Sequence, residues 1–228
     1  MKHIGIVAVS TEGASLCYRT ICLEGEGLLG PHEHPEISLH NFPLGVYQRL
    51  IDRDEWGAVG EVLLESAAKV LRAGAELVIC PDNTVHQGLD QVRERSPAPW
   101  IHIAEEVTRE ARQREFKRLG ILGTRFLMEG PVYPSRLACN GIDQRVPNLN
   151  QRLRINRIIY DELVHARFLS SSREFFQDVI GGLARDGCDA VALACTEIPL
   201  LIGEAESELP ILDSTRILAR AALRFAAS

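Results

Sequence analysis

Two short stretches carry side chains able to move protons. Residues 78–86 read VICPDNTVH, and residues 191–199 read VALACTEIP. In each, an apolar run of strand length ends in an ionisable residue, Asp82 in one and Cys195 in the other. Small hydrogen-bonding residues follow, Asn83-Thr84 and Thr196-Glu197. A carboxylate and a thiolate are bases, and their protonated forms are acids. If the residues behind them open helices, the backbone N–H groups there suit a carboxylate ligand. Two proton-transfer groups flanking an anchored carboxylate suit chemistry at the carbon beside it. A free thiol titrates near about 8.5 and a free aspartic acid near about 3.9. A carboxyl that donates a proton near neutrality therefore needs a shift of roughly 3 units, about 4 kcal/mol. Burial or a neighbouring anion can supply it.

These residues need a scaffold that brings strand ends to a ligand. Apolar runs of strand length occur at 4–9, 76–80, 100–103, 119–122, 189–194 and 210–212. Amphipathic stretches of helical length lie at 57–73, 104–116, 151–165, 171–186 and 214–227. In 57–73, Val59, Val62, Leu63, Ala67, Val70 and Leu71 recur every three or four positions, as on one helix face. Strands alternating with helices predict an α/β fold with mostly parallel sheets.

The chain also repeats itself. Lys2-His3-Ile4-Gly5-Ile6-Val7 matches Lys117-Arg118-Leu119-Gly120-Ile121-Leu122. Ala73-Gly74-Ala75-Glu76 matches Asp186-Gly187-Cys188-Asp189, and Pro99-Trp100-Ile101-His102 matches Pro210-Ile211-Leu212-Asp213. Three motifs thus recur in order about 113 residues later, a period too long for a solenoid. The reading is two similar α/β lobes, roughly 1–115 and 116–228, related by a pseudo-twofold, with the C-terminal helix free to cross to the first. Ligand sites in parallel sheets lie at strand carboxyl ends. Asp82 and Cys195 hold equivalent ends, so the expected active site is the cleft between the lobes.

Composition narrows the function. A net charge of −6 and the lack of a polybasic run argue against a nucleic-acid partner. The N-terminal MKHIGIVAVS does not read as a signal peptide, and no apolar stretch approaches the length of a membrane span. The six cysteines, Cys17, Cys22, Cys80, Cys139, Cys188 and Cys195, form no CxxC pair, which suits a reduced, cytoplasmic setting. His32 and His34 in PHEHPE lack an acid or cysteine cluster and read as a solvated loop, so no metal is expected.

Cys195-Thr196-Glu197-Ile198 resembles the C-terminal signature of the aspartate/glutamate racemase family, cofactor-independent amino acid racemases. Asn83-Thr84-Val85-His86 resembles its N-terminal Asn-Thr-x-His signature. Leu122-Gly123-Thr124 with Tyr133, and Ile155-Asn156 with Glu162-Leu163, fall where the family has similar residues. The resemblance runs from about residue 3 to residue 226. It implies two-base racemisation without pyridoxal phosphate, a small amino acid substrate and a homodimer. The family usually places a cysteine immediately before Asn-Thr. Here that residue is Asp82, and Cys80, two residues upstream, reads as strand packing. Other departures are Ala8-Val9-Ser10 for the usual Gly-Gly-Met, Leu127 for a threonine, and His165-Ala166 for a Lys-Gly pair.

The expected assignment is Asp82 and Cys195 as catalytic acid and base, Cys195 serving the L- and Asp82 the D-enantiomer. Ser10, Thr11, Asn83, Thr84, Thr124, Thr196 and Glu197 are the expected substrate-binding residues. Arg49 and Arg125 lie near the site loops, where a side-chain carboxylate would need a cation. Alternatives stay open. Asp82 could be a helix cap, Cys195 a buried structural cysteine, and His86 a supporting residue. A single thiol also fits a decarboxylase or isomerase of small diacids, and a protein without its first base could simply bind a small molecule.

Overall fold

The computed structural model describes residues 1–228. The chain packs as two compact units, Met1–Glu106 with Thr215–Ser228, and Val107–Ser214. In the first, β1 (Ile4–Ala8), β2 (Ile37–Asn41), β3 (Leu77–Ile79) and β4 (Trp100–Ile101) alternate with α1 (Thr11–Leu29), α2 (Leu44–Ile51), α3 (Trp56–Arg72) and α4 (His86–Val92). Helix α5 (Ile103–Gln113) leads into the second unit. There β5 (Arg118–Leu122), β6 (Asp143–Arg145), β7 (Ala190–Leu193) and β8 (Ile211–Asp213) alternate with α6 (Arg125–Glu129), α7 (Pro134–Ala138), α8 (Leu149–Asp161) and α9 (Ser170–Arg185). The C-terminal α10 (Ser214–Ala227) packs in the first unit, where Leu218, Ala222 and Leu223 join Ile4, Ile6, Leu77 and Ile79 in one core.

Each unit holds one four-stranded sheet, ordered β2-β1-β3-β4 in the first and β6-β5-β7-β8 in the second. Every pairing is parallel, and the two orders are the same when matched strand for strand. Central strands β1, β3 and β7 are buried along their whole length, as parallel strands covered on both faces must be. Edge strands β2 and β6 have no fully buried residue and were not foreseen, since neither carries an apolar run. Charge marks the β6 edge. Asp143 pairs with Arg118 at 3.0 Å and Arg145 at 3.2 Å, a device that discourages further strands from joining. The long α1 also escaped the reading. Its buried stripe, Gly13, Ala14, Leu16, Cys17, Thr20, Ile21 and Gly25, consists largely of small residues and gives a weak periodic signal.

The repeated motifs have physical reasons. Gly74 and Gly187 turn the chain after α3 and α9 at φ +107° and +82°, a region favourable to glycine. The acidic residue that closes each motif then ties the sheet together. Glu76 accepts from His3 N–H at 3.0 Å, and Asp189 accepts from Lys117 N–H at 2.6 Å and Arg118 N–H at 3.1 Å. Gly5 and Gly120 admit the helix behind each sheet. A Cβ on Gly5 would lie 2.7 Å from Val70 Cγ2, and one on Gly120 would lie 2.7 Å from Leu183 Cδ1.

Helices α3 and α4 meet backbone to backbone. A Cβ on Gly88 would lie 2.7 Å from Trp56 O and 2.9 Å from Gly60 N. Gly88→Ala is therefore expected to lower stability by about 1–3 kcal/mol in urea unfolding. Gly27→Ala, with nothing within 4 Å of its new Cβ, should instead gain about 0.5–1 kcal/mol from helix propensity.

Candidate active site

In the first unit, β3 ends at Ile79 and the chain passes through Cys80 and Pro81 to a half-buried Asp82. Asp82 Oδ1 accepts from Val85 N–H at 3.1 Å, a local bond that closes the turn leading into α4. Asn83 and Thr84 are buried, and His86 N–H donates to Asn83 O at 3.3 Å as α4 begins. The His86 imidazole is fully enclosed. Its Nε2 meets Cys80 O at 3.1 Å, pinning the strand end that carries Asp82. His86 packs edge to face with His102, ring centroids 4.2 Å apart. His102 Nδ1 accepts from Ala104 N–H at 3.2 Å, and its Nε2 lies 3.3 Å from Asp90 Oδ1. His86 thus occupies a supporting position under the loop.

In the second unit, Cys195 follows Ala194 at the end of β7 and is 7% exposed. Cys195 Sγ donates to Glu197 Oε2 at 2.9 Å, and Thr196 Oγ1 donates to the same oxygen at 3.2 Å. Cys195, Thr196 and Glu197 are therefore one hydrogen-bonded cluster. The Glu197 carboxylate, expected to meet substrate, turns back onto its own strand end and is buried. The chain then makes a 3₁₀ turn, Ile198–Leu200, in which Ile198 N–H donates to Cys195 O at 3.1 Å. The condition of a helix opening behind Cys195 is therefore not met. A three-residue 3₁₀ turn aligns too few peptide dipoles to act as a helix N-terminus.

The neighbouring strands bring the other predicted residues to these ends. β1 pairs with β3 with Ile6 opposite Ile79, and β5 pairs with β7 with Leu122 opposite Leu193. Ser10 caps α1 by accepting from Gly13 N–H at 3.3 Å, and Thr124 caps α6 by accepting from Leu127 N–H at 3.2 Å. Thr11 is the exposed first residue of α1. Gly123 lets the β5 end approach Cys195, since a Cβ there would lie 2.9 Å from Ala194 O. Arg125 stacks on Phe126 and lies 4.0 Å from Glu129. His32 is on a solvent-facing turn, and His34 Nδ1 meets Pro35 O at 2.9 Å.

One residue near the first strand end was missed. Tyr47, on α2, is fully buried, and its phenol is pushed well above the ordinary range by burial, then by nearby Cys80 and Asp82. No sequence signal marks it, because it sits at an ordinary core position of an amphipathic helix. Cys80 is sealed as well. Burial raises its thiol far above the usual range, with the Asp82 charge adding to the effect. Cys80 therefore cannot stand in for a first catalytic cysteine. In the native protein at about pH 9, iodoacetamide should label the exposed Cys139 and leave Cys80 unmodified by peptide mass spectrometry.

Known proteins share this fold. The family model for Asp/Glu/hydantoin racemases matches residues 6–222. A broad specificity amino-acid racemase from Bacillus subtilis is 23% identical over 200 residues, covering 87% of this chain and 85% of that protein. A candidate Asp/Glu racemase from Yersinia pestis superposes with a TM-score of 0.90 at 30% identity, over 100% of both chains. An aspartate racemase homologue from Pyrococcus horikoshii gives 0.85 at 26% identity, again over 100% of both. The paired strand-end motifs, the doubled sheet and a match over nearly the whole length agree, and the chain belongs to the Asp/Glu/hydantoin racemase family of isomerases.

Proposed function

We propose that this protein is a cofactor-independent amino acid racemase that uses Asp82 and Cys195 as its two bases. The carrying observation is their placement. They follow β3 and β7, equivalent strands of two sheets with the same order. In this reading the Asp82 carboxylate takes the α-proton of a D-amino acid, and the Cys195 thiol gives its proton to the opposite face. The bond to hydrogen broken on one side of the carbon is replaced by one formed on the other. The reverse reaction uses a Cys195 thiolate and a protonated Asp82. The Cys195 sulfur lies 2.9 Å from Glu197 Oε2, a contact that supports a role as proton donor.

Aspartate, glutamate or a similar small polar amino acid is the proposed substrate. The names of the relatives support this range. One is a broad specificity amino-acid racemase, and a glutamate racemase structure from Francisella tularensis contains D-glutamate. Ser10, Thr11, Asn83, Thr84, Thr124 and Thr196 are the proposed hydrogen-bonding shell. Six cysteines, none in a disulfide, support a reducing, cytoplasmic setting, and a homodimer completes the proposal.

A second reading has one observation in its favour. The bond from Val85 N–H to Asp82 Oδ1 gives Asp82 a structural job in the turn before α4, which would leave Cys195 as the single working group of a diacid decarboxylase or isomerase.

Proton NMR in deuterium oxide with D- and L-amino acids separates the readings. The racemase should show loss of the α-proton signal with at least one small polar amino acid. Cys195→Ala should abolish the exchange, and Asp82→Asn should slow racemisation about 10²–10⁴-fold. Unchanged racemisation in both directions for Asp82→Asn would remove Asp82 from the mechanism. Deuterium gained only by the product of a diacid would establish the second reading.

A further inference from the structure

Glu197 is a buried carboxylate with an unusual set of contacts. It is 3% exposed, and Oε2 receives both the Cys195 thiol at 2.9 Å and the Thr196 hydroxyl at 3.2 Å. Oε1 is enclosed and has no hydrogen-bond partner. The carboxylate therefore acts almost wholly on the strand end, and through one oxygen. The 3₁₀ turn fixes this geometry, because Leu200 N–H donates to Glu197 O at 3.1 Å while Ile198 N–H holds Cys195 O. Side chain and main chain are thus locked together over three residues.

We propose that Glu197 is a positioning residue that keeps Cys195 loaded with its proton before substrate arrives. A thiol can donate to the carboxylate, whereas a thiolate cannot, and the two negative charges would repel at this distance. The bond also aims the S–H and restricts rotation about the Cys195 side chain. Cys195 then waits as the acid, and Asp82 in the first unit is left as the resting base. This assignment of starting states rests on the racemase reading. The state of the thiol itself does not.

The test is alkylation of Cys195 by iodoacetamide, followed by peptide mass spectrometry across a pH series in wild type, Glu197→Gln and Glu197→Asp. The exposed Cys139 is the internal reference, and protection of Cys80 reports that each variant is folded. Removing the carboxylate should raise the alkylation rate at neutral pH roughly ten-fold and move the profile to lower pH. Glu197→Asp keeps the charge but withdraws it by one methylene, so its rate should fall between the other two. If Glu197→Gln exposes Cys80, Glu197→Asp decides the matter alone. Rates and profiles equal to wild type in the folded variants would overturn the proposal. In turnover, the kcat/KM profile of Glu197→Gln should move to lower pH by the same amount in both directions, as the Haldane relation requires. A wild type that turns over no amino acid would defeat the racemase reading while leaving the alkylation result to stand.

Discussion

Burial of the central parallel strands is the constraint on which the rest depends. β1, β3 and β7 are covered along their whole length, so nothing along them can meet a ligand. The first positions at which the chain can present a polar side chain are the carboxyl ends. Asp82 and Cys195 occupy two of these ends. Ser10 and Thr124, behind the adjacent strands, cap the helices that leave them. The glycines serve the same burial. Gly5 and Gly120 let helices press onto the sheets, and Gly123 lets the neighbouring loop reach the carbonyl next to Cys195.

The two ends are alike in topology and unlike in chemistry. Asp82 is half-buried and engaged with its own loop, which is braced by the enclosed His86. Cys195 is nearly buried and tied to a carboxylate two residues on. A thiol facing a buried carboxylate favours holding its proton. Replacing a cysteine by an aspartate at the first end need not break a two-base scheme. In the proposed mechanism it divides the labour between an oxygen and a sulfur. The cost of protonating the carboxyl in the reverse direction then falls on the bound substrate and its surroundings.

The fold was legible where burial left a mark on the sequence. Continuous apolar runs gave β1, β3, β5 and β7, and the 3.6-residue period of Val59, Leu63, Ala67 and Val70 gave α3. The exposed edges β2 and β6 and the small-residue helix α1 left no such mark. The repeat located both strand ends, because Gly74 and Gly187 and the acids Glu76 and Asp189 are required by local geometry in each half. The environment of each site residue was not legible. That Glu197 folds back onto Cys195, that a 3₁₀ turn follows it, and that Tyr47 lies buried near Asp82 depend on side-chain directions that only tertiary packing sets.

The central claim is that two different groups serve opposite faces of one carbon. Early-time mass spectrometry in deuterium oxide tests it most directly, starting from a single enantiomer and separating product from recovered substrate. The account predicts deuterium in the product from the first turnovers while recovered substrate still carries protium, with either enantiomer as the start. Product that retains the substrate's own proton would mean that one group removes and returns it, and would contradict the account.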